Sequence, residues 1–311
     1  MKIQHLVIIF STLIIICSII LYKMIIVQLP LNNKKIVVVC TTTIIGDTIQ
    51  KIAGDTIHLD ILMGPGIDPH IYKPIEQDVF KISQADLILY HGLHLEARMA
   101  DLFKRMNTMK PTFAVTKDIP TKLLIKVPEH EQCFDPHIWF DPTLWIYVIN
   151  TITNILQLYI PKHAQLYEHN KQKFIEQVKY TYATTQKQIN TININKRILI
   201  TCHDAFSYFA RAYNFKVISL QGINTASEAS ALDITSTIDT IIKNNIPTIF
   251  IESSIPIRNM QAIEQGVKAQ GLSIQIGKEL FSDALGDINS PEGTYLGMLT
   301  WNINSIIAGL I

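Results

Sequence analysis

The chain has 311 residues, of which 17% are charged, and a formal net charge of +1 at pH 7. This length is typical of about two domains. A charge this close to zero, without a basic block or interleaved aromatic and basic residues, argues against a nucleic-acid partner and against binding to an anionic membrane surface.

The first 34 residues predict export from the cytoplasm. Lys2 precedes an uncharged apolar run from Leu6 to Tyr22, which is the pattern of a signal peptide. We predict that residues 1–34 are an export signal or a retained N-terminal membrane anchor. A lipidated Cys17 is an alternative, although Ile16 is bulkier than the small residue expected before a lipidated cysteine. Each alternative places the rest of the chain in the periplasm or another extracytoplasmic space.

From residue 34 onward, short apolar runs alternate with helix-type segments. Strand-type runs lie at 34–43, 58–66, 86–92, 196–202, 216–222, 247–254 and 272–277. Helix-type segments lie at 44–55, 75–85, 94–106, 144–156, 204–214, 227–245, 257–271 and 294–310. This alternation predicts βαβ units around parallel sheets, so the predicted fold class is α/β.

A polar segment from Pro161 to about residue 193 interrupts the alternation. It contains no glycine and no internal proline, and Pro161 suits the first turn of a helix. We predict one long linker helix over 161–194, which joins an N-terminal α/β lobe at 35–160 to a C-terminal α/β lobe at 195–311.

The tripeptide Asp-Pro-His occurs twice, ending at His70 and at His137, and isoleucine and an aromatic residue follow it each time. The proline fixes its own φ and pushes the preceding aspartate to an extended conformation. Each histidine therefore leaves a stiff turn, as a preorganised metal ligand requires. Asp68 and Asp135 either hold a ring N–H of the histidine or form a backbone Asx turn.

Two further candidate ligands follow strand-type runs in the second half of the chain. His203 directly follows such a run and Asp283 comes after another, although Asp283 could simply cap a turn. Ligands of open α/β sheets bind beyond the carboxyl ends of the strands. Three imidazoles and one carboxylate suit Zn²⁺, and also Mn²⁺ or Fe²⁺ if the carboxylate binds through both oxygens.

Several other residues leave two interpretations open. Cys133 and Cys202 each lie near a candidate histidine and form either a disulfide or two isolated thiols. His91 and His94 form either a second metal site or a turn before a helix.

Four residues beside the candidate ligands carry structural predictions. Glu252 ends a strand-type run and is either a support for the metal site or a buried capping carboxylate. Asp204 is predicted to be a helix N-cap. Trp139 and Phe140 are predicted to wall the cleft with apolar surface.

These motifs resemble a known family. The blocks "LMGPGIDPHIYKP", "DPHIWFDP", "HDAFSYFARAYNF" and "FSDALG" are similar to those of the TroA-like metal-binding proteins of bacterial zinc and manganese ABC importers (solute-binding protein family 9, cluster A-I). The resemblance runs from about Lys35 to the C-terminus. It implies two lobes bridged by one rigid helix, with a divalent metal ion between them as transported ligand and a membrane permease as partner.

The resemblance also implies the metal ligands His70, His137, His203 and Asp283. Members dedicated to manganese tend to have Glu at the position of His203, so we expect zinc to bind more tightly than manganese here. The chain departs from the family at His91, where Asn is usual, and in the short segment "KVPEHEQCF", where zinc-specialised members often carry a long His- and acid-rich loop. The transported metal is therefore expected to be zinc, manganese or iron.

The predicted function is a monomeric extracytoplasmic binding protein that performs no catalysis. The first alternative is a zinc-dependent hydrolase, but catalytic zinc usually keeps an open water position, and no H-E-x-x-H motif is present. The second alternative is a binder of an organic metal chelate on the same fold, which would favour a wide cleft without convergent ligands.

Overall fold

The computed structural model describes residues 35–127 and 130–311. The predicted export signal or anchor at 1–34, with Cys17, lies outside these residues. Residues Ile36–Ile311 form one compact unit. Its architecture is α/β with two sheet-containing lobes, as the sequence predicts.

The N-terminal lobe is built on a four-stranded parallel sheet with strand order β2-β1-β3-β4. Its strands are β1 (Ile36–Cys40), β2 (Ile57–Ile61), β3 (Leu87–Tyr90) and β4 (Thr112–Ala114). Its connecting helices are α1 (Thr43–Ala53), α2 (Glu76–Gln84) and α3 (Ala100–Met106). The side chains of Val38 and Val39, which point to opposite faces of β1, are both fully buried. Apolar cover on both faces is what a parallel sheet requires.

Two helices follow the strands of the N-terminal lobe in sequence. Helix α4 (Pro142–Tyr159) starts at an N-cap formed by Asp141, whose side chain accepts a hydrogen bond from the Thr143 amide. A 3₁₀ turn at Pro161–His163 then leads into the long helix α5 (Ala164–Ile189). No described helix alone is long and apolar enough to cross a membrane. Helix α4 and the segment Pro161–Ile189 together have the length and apolar composition of a span, but they are bent by 118° relative to each other.

Helix α5 contacts both lobes. In its first half, the Asn170 side chain donates a hydrogen bond to the Ile52 carbonyl oxygen of α1 (2.9 Å). In its second half, the Thr185 hydroxyl bonds the Tyr213 hydroxyl of the C-terminal lobe (3.0 Å). The long helix predicted from the polar segment is therefore present and connects the two lobes.

The C-terminal lobe contains two parallel strand pairs. The strands are β7 (Ile198–His203) with β8 (Lys216–Gln221), and β9 (Thr248–Ile249) with β10 (Gln275–Ile276). The Phe250 amide donates to the Ile200 carbonyl oxygen (3.0 Å) and links the two pairs. The helices of this lobe are α6 (Ser207–Tyr213), α7 (Ala231–Asn244), α8 (Arg258–Ala269) and α9 (Tyr295–Leu310).

The structure adds one pair of strands and corrects two local predictions. Before His137, β5 (Lys126–Val127) and β6 (His130–Phe134) pair in antiparallel fashion. The helix expected over 94–106 begins as α3 only after a 3₁₀ turn, because His94 has a φ of 63° and cannot be helical. Asp204 is not an N-cap: α6 starts three residues later, and Asp204 instead accepts a hydrogen bond from the Ser207 hydroxyl (2.9 Å).

The cysteines do not form the disulfide that the sequence left open. Cys133 and Cys202, like Cys40, are free thiols in the described part of the chain. The interpretation as isolated thiols is therefore the correct one.

Candidate metal centre

The structure brings the four candidate ligands together at the carboxyl ends of the strands. His70 lies in the loop between β2 and α2, and His137 follows β6. His203 is the last residue of β7, and Asp283 lies in the loop after β10. One ligand atom from each of the four residues lies within 4.8 Å of the others. Among the side chains that the structure describes, at 35–127 and 133–311, no other group of histidine, cysteine and acidic residues meets this criterion.

The ligand atoms face one another across short distances. The Nε2 atoms of His70 and His137 are 3.2 Å apart. The two oxygens of Asp283 divide between the lobes: Oδ1 is 3.4 Å from His137 Nε2, and Oδ2 is 3.3 Å from His203 Nε2. A single ion placed among these atoms would touch ligands from both lobes.

The centre is almost closed to solvent. His137 and His203 have no exposed surface, Asp283 is 1% exposed, and His70 is 5% exposed. Yet His203 Nε2 and Asp283 Oδ1 make no hydrogen bond to any described residue. Buried polar atoms are rarely left without a partner because the desolvation is costly, and a cation bound here would be a partner for both atoms.

Asp135 orients the second Asp-Pro-His histidine. Its Oδ1 accepts hydrogen bonds from the backbone amide of His137 (2.9 Å) and from the ring Nδ1 of the same residue (2.7 Å). Both roles that the sequence left open for this aspartate are therefore realised. With Nδ1 held in this way, Nε2 is the nitrogen that faces the ion.

Glu252, three residues after β9, does the same for His203. Its Oε2 accepts from His203 Nδ1 at 2.6 Å, while Oε1 accepts from the backbone amides of Cys202 (2.7 Å) and His203 (3.0 Å). The residue is 2% exposed. Glu252 is thus a buried hydrogen-bonded carboxylate that holds the ring of the candidate ligand His203.

Asp68 fulfils only the backbone role. It accepts from the His70 amide (2.8 Å), as in an Asx turn, and no bond to the His70 ring is seen. Its second oxygen accepts a short hydrogen bond from the Thr225 hydroxyl, which belongs to the other lobe. The first histidine turn is therefore tied to the C-terminal lobe, a contact that no sequence motif signalled.

The charges of the centre are strongly coupled. Burial lowers the pKa of His70 to about 3. Burial also disfavours charge on His137, but Asp135 and Asp283 outweigh it and raise its pKa to about 9. In the same way, Glu252 and Asp283 hold the pKa of His203 well above its usual value in spite of burial.

Asp283 carries the balancing negative charge. Its burial favours the neutral acid, but His203 and His137 hold its pKa well below the usual range. A divalent cation that binds the Nε2 atoms would compete there with protons, so metal binding and protonation of the centre are linked.

The side chains of Trp139 and His91 lie next to the centre. Trp139 is 1% exposed, and its ring centroid lies 5.3 Å from that of His137, so it forms a wall of the site as predicted. Its Nε1 donates to the carbonyl oxygen of Ser282, the neighbour of Asp283 (2.9 Å). His91 is buried behind Trp139, whereas His94 is exposed, so these two histidines do not form a second site.

The sequence is similar to proteins that bind metal ions. It is 43% identical over 278 residues to the zinc-binding protein TroA of Treponema pallidum, which covers 89% of this chain and 90% of the relative. It is 38% identical over 278 residues to the manganese-binding lipoprotein MntA of Bacillus subtilis, with coverage of 89% and 90%. The iron-binding protein YfeA of Yersinia pestis is 32% identical over 276 residues, with coverage of 89% and 86%.

The fold agrees with a solved relative. The structure of the periplasmic zinc-binding protein TroA from Treponema pallidum superimposes with a TM-score of 0.86 at 42% sequence identity and covers 89% of this chain and 99% of that chain. The profile of the family described as "Zinc-uptake complex component A periplasmic" matches residues 38–309. The chain therefore belongs to the family of periplasmic zinc-uptake complex component A proteins.

Proposed function

We propose that this protein captures one divalent transition-metal ion outside the cytoplasm and delivers it to the permease of an ABC importer. The Nε2 atoms of His70, His137 and His203 and the carboxylate of Asp283 would hold the ion. The observation that carries the proposal is the buried group of four ligand atoms within 4.8 Å, two of which have no partner among the described residues.

The donor set supports zinc as the tightest ligand. Three imidazoles and one carboxylate match a zinc tetrahedron, and aqueous affinities also favour Zn²⁺ over Mn²⁺ and Fe²⁺ at nitrogen-containing sites. Manganese and iron remain accepted metals because Asp283 can offer both oxygens. The relatives named for zinc, manganese and iron agree with this range.

The alternatives from the sequence have less support. A hydrolase needs an open coordination position and access for a substrate, whereas His137 and His203 are fully buried. An organic chelate needs a wide cleft, whereas the four ligand atoms converge within 4.8 Å of one another. We therefore propose that the protein binds the bare ion and catalyses no reaction.

Export and domain organisation complete the proposal. Family membership supports a periplasmic or extracytoplasmic location. We propose that residues 1–34 act as the export signal or as an N-terminal anchor, and that the lobes at 35–160 and 195–311 and the linker at 161–194 act together as a monomer. The near-neutral charge gives no support for a nucleic-acid partner.

Elemental analysis after metal loading tests the proposal. We expect one tightly held ion per chain in the wild type and a loss of tight binding in His70→Ala and in His137→Ala. His169→Ala is a matched control because His169 is exposed on α5, far along the sequence from the ligands. Two tightly held ions per chain, or none after loading of the folded wild type, would refute the four-ligand site.

A further inference from the structure

His91 is held in place by hydrogen bonds to its backbone on both sides. It directly follows β3, and only 1% of it is exposed. Its amide donates to Glu96 Oε1 (2.7 Å), and its carbonyl oxygen accepts from the Thr116 hydroxyl (2.7 Å). The ring therefore projects from a fixed point at the carboxyl end of a central strand.

The His91 ring contacts the turn that presents His137. Its Nε2 lies 2.7 Å from the carbonyl oxygen of Pro136, the residue directly before His137. A carbonyl oxygen only accepts, so Nε2 carries the hydrogen and donates it. The same carbonyl oxygen also accepts from the Ile138 amide (2.7 Å), so the His91 bond is one of two that hold this group of the turn.

The His91 ring also packs against Trp139, which is hydrogen-bonded to the C-terminal lobe. Its centroid lies 5.1 Å from that of Trp139, at an interplanar angle of 85°. Trp139 in turn donates from Nε1 to the Ser282 carbonyl oxygen, next to Asp283. His91 thus bonds the residue before His137 and, through its contact with Trp139, is linked to the residue before Asp283.

We propose that His91 is a positioning residue of the metal centre, which sets the orientation of His137 and Asp283 without touching the ion. The inference rests on the proposed function, because it assigns His91 a role in metal affinity. Support groups of this kind typically contribute about 10- to 100-fold to metal affinity. In the family that this chain resembles, asparagine is usual at this position. Its side-chain nitrogen would lie at the position of His91 Nδ1, one atom closer to the backbone than Nε2.

Three substitutions separate the N–H donor from the volume of the ring. His91→Gln places an N–H at the position of Nε2, whereas the shorter His91→Asn does not reach it. His91→Phe keeps an aromatic ring against Trp139 but has no donor. The controls are His94→Gln and His94→Asn, because His94 is three residues away and exposed.

The experiment uses the full chain purified in detergent. It measures Zn²⁺ affinity by competition with a chromophoric chelator, the visible spectrum of bound Co²⁺, and the thermal midpoint without metal. We expect His91→Gln to bind nearly as the wild type does, and His91→Asn and His91→Phe to lose about 10- to 100-fold in affinity with an altered Co²⁺ spectrum. Both His94 variants should match the wild type.

Other results would refute the proposed role of His91. The inference is wrong if all three His91 variants bind Zn²⁺ like the wild type, or if they differ from it only in the thermal midpoint without metal. It is equally wrong if His91→Gln loses as much affinity as His91→Phe, because the donor then plays no part. If the wild type itself binds no metal, the proposed function fails first. Should His91→Phe not fold, the comparison of Gln with Asn still decides.

Discussion

Replacement of Glu252 by glutamine removes the support of His203 while it preserves the shape of the side chain. Glu252 accepts three N–H groups: His203 Nδ1 at 2.6 Å and the amides of Cys202 and His203 at 2.7 and 3.0 Å. A glutamine has one acceptor oxygen and one donor NH₂ group. Its single oxygen can therefore accept either from the His203 ring or from the two backbone amides, but not from both.

The geometry leaves the variant two arrangements: one blocks Nε2, and the other, which metal binding requires, leaves buried amides without an acceptor. If the amide oxygen keeps the backbone N–H groups, the NH₂ group faces Nδ1 and forces the hydrogen onto Nε2, the atom that should bind the ion. If the oxygen faces Nδ1, two buried amides meet a donor. An unsatisfied buried donor costs about 1–3 kcal/mol. Because about 1.4 kcal/mol corresponds to a factor of ten, Glu252→Gln should lose about 10- to 100-fold in Zn²⁺ affinity.

Competition titration with a chromophoric chelator measures this loss. Glu228→Gln is the matched control, because Glu228 lies in an ion pair with Arg258 in which both side chains are more than three-quarters exposed, and such pairs contribute little. The thermal midpoint without metal reports whether the variant is folded. A folded Glu252→Gln protein with wild-type Zn²⁺ affinity would refute the claim that Glu252 sets the tautomer of His203.

Three further predictions follow from the charges and the ligands. Since the folded pKa of His137 is raised from 6.5 to about 9, its protonation stabilises the metal-free fold below pH 6.5, and this stabilisation is lost as pH rises to about 9. Metal affinity should rise over the same window with release of protons, measured by calorimetry in buffers of different ionisation enthalpy. Flat stability and affinity across this window would contradict the assignment. His203→Glu should narrow the preference for Zn²⁺ over Mn²⁺ because a carboxylate is a harder ligand, whereas His70→Ala should weaken both metals; an unchanged ratio in competition titrations would remove His203 from the selectivity argument. Free Zn²⁺ at 100 times its Kd should stabilise the fold by about 2.7 kcal/mol and raise the thermal midpoint. The scattering profiles with and without metal should be nearly identical because the long helix α5 connects the lobes. A large change in these profiles would contradict a stiff connector.

The sequence predicted the main parts of the candidate site for local reasons. In Asp-Pro-His, the constraint of the proline ring and the ligand chemistry of the histidine lie within three residues, so His70 and His137 were recognisable without tertiary information. The alternation of apolar runs and helices, and the long polar segment that became α5, are likewise local patterns. His203 and Asp283 were weak candidates by spacing and became firm only through the family resemblance.

Tertiary structure decided which of the open roles are realised. Glu252 lies 49 residues from His203 in the chain, and Trp139 lies 143 residues from Ser282, so no local pattern could reveal these bonds. Asp68 and Asp135 occupy the same place in the same motif, yet only Asp135 bonds the ring of its histidine. The other oxygen of Asp68 bonds Thr225 in the opposite lobe, and this partner does not exist until the lobes meet.

The sequence by itself thus determined the fold class and the types of ligand atom, because periodicity and rigid turns are properties of neighbouring residues. Only the tertiary structure decided the protonation of the centre. His70 and His137 come from identical tripeptides, but burial without a bonded carboxylate lowers the pKa of one to about 3, while Asp135 and Asp283 raise the pKa of the other to about 9. Such pKa values depend on charges brought close in space, and the order of residues along the chain does not fix those distances.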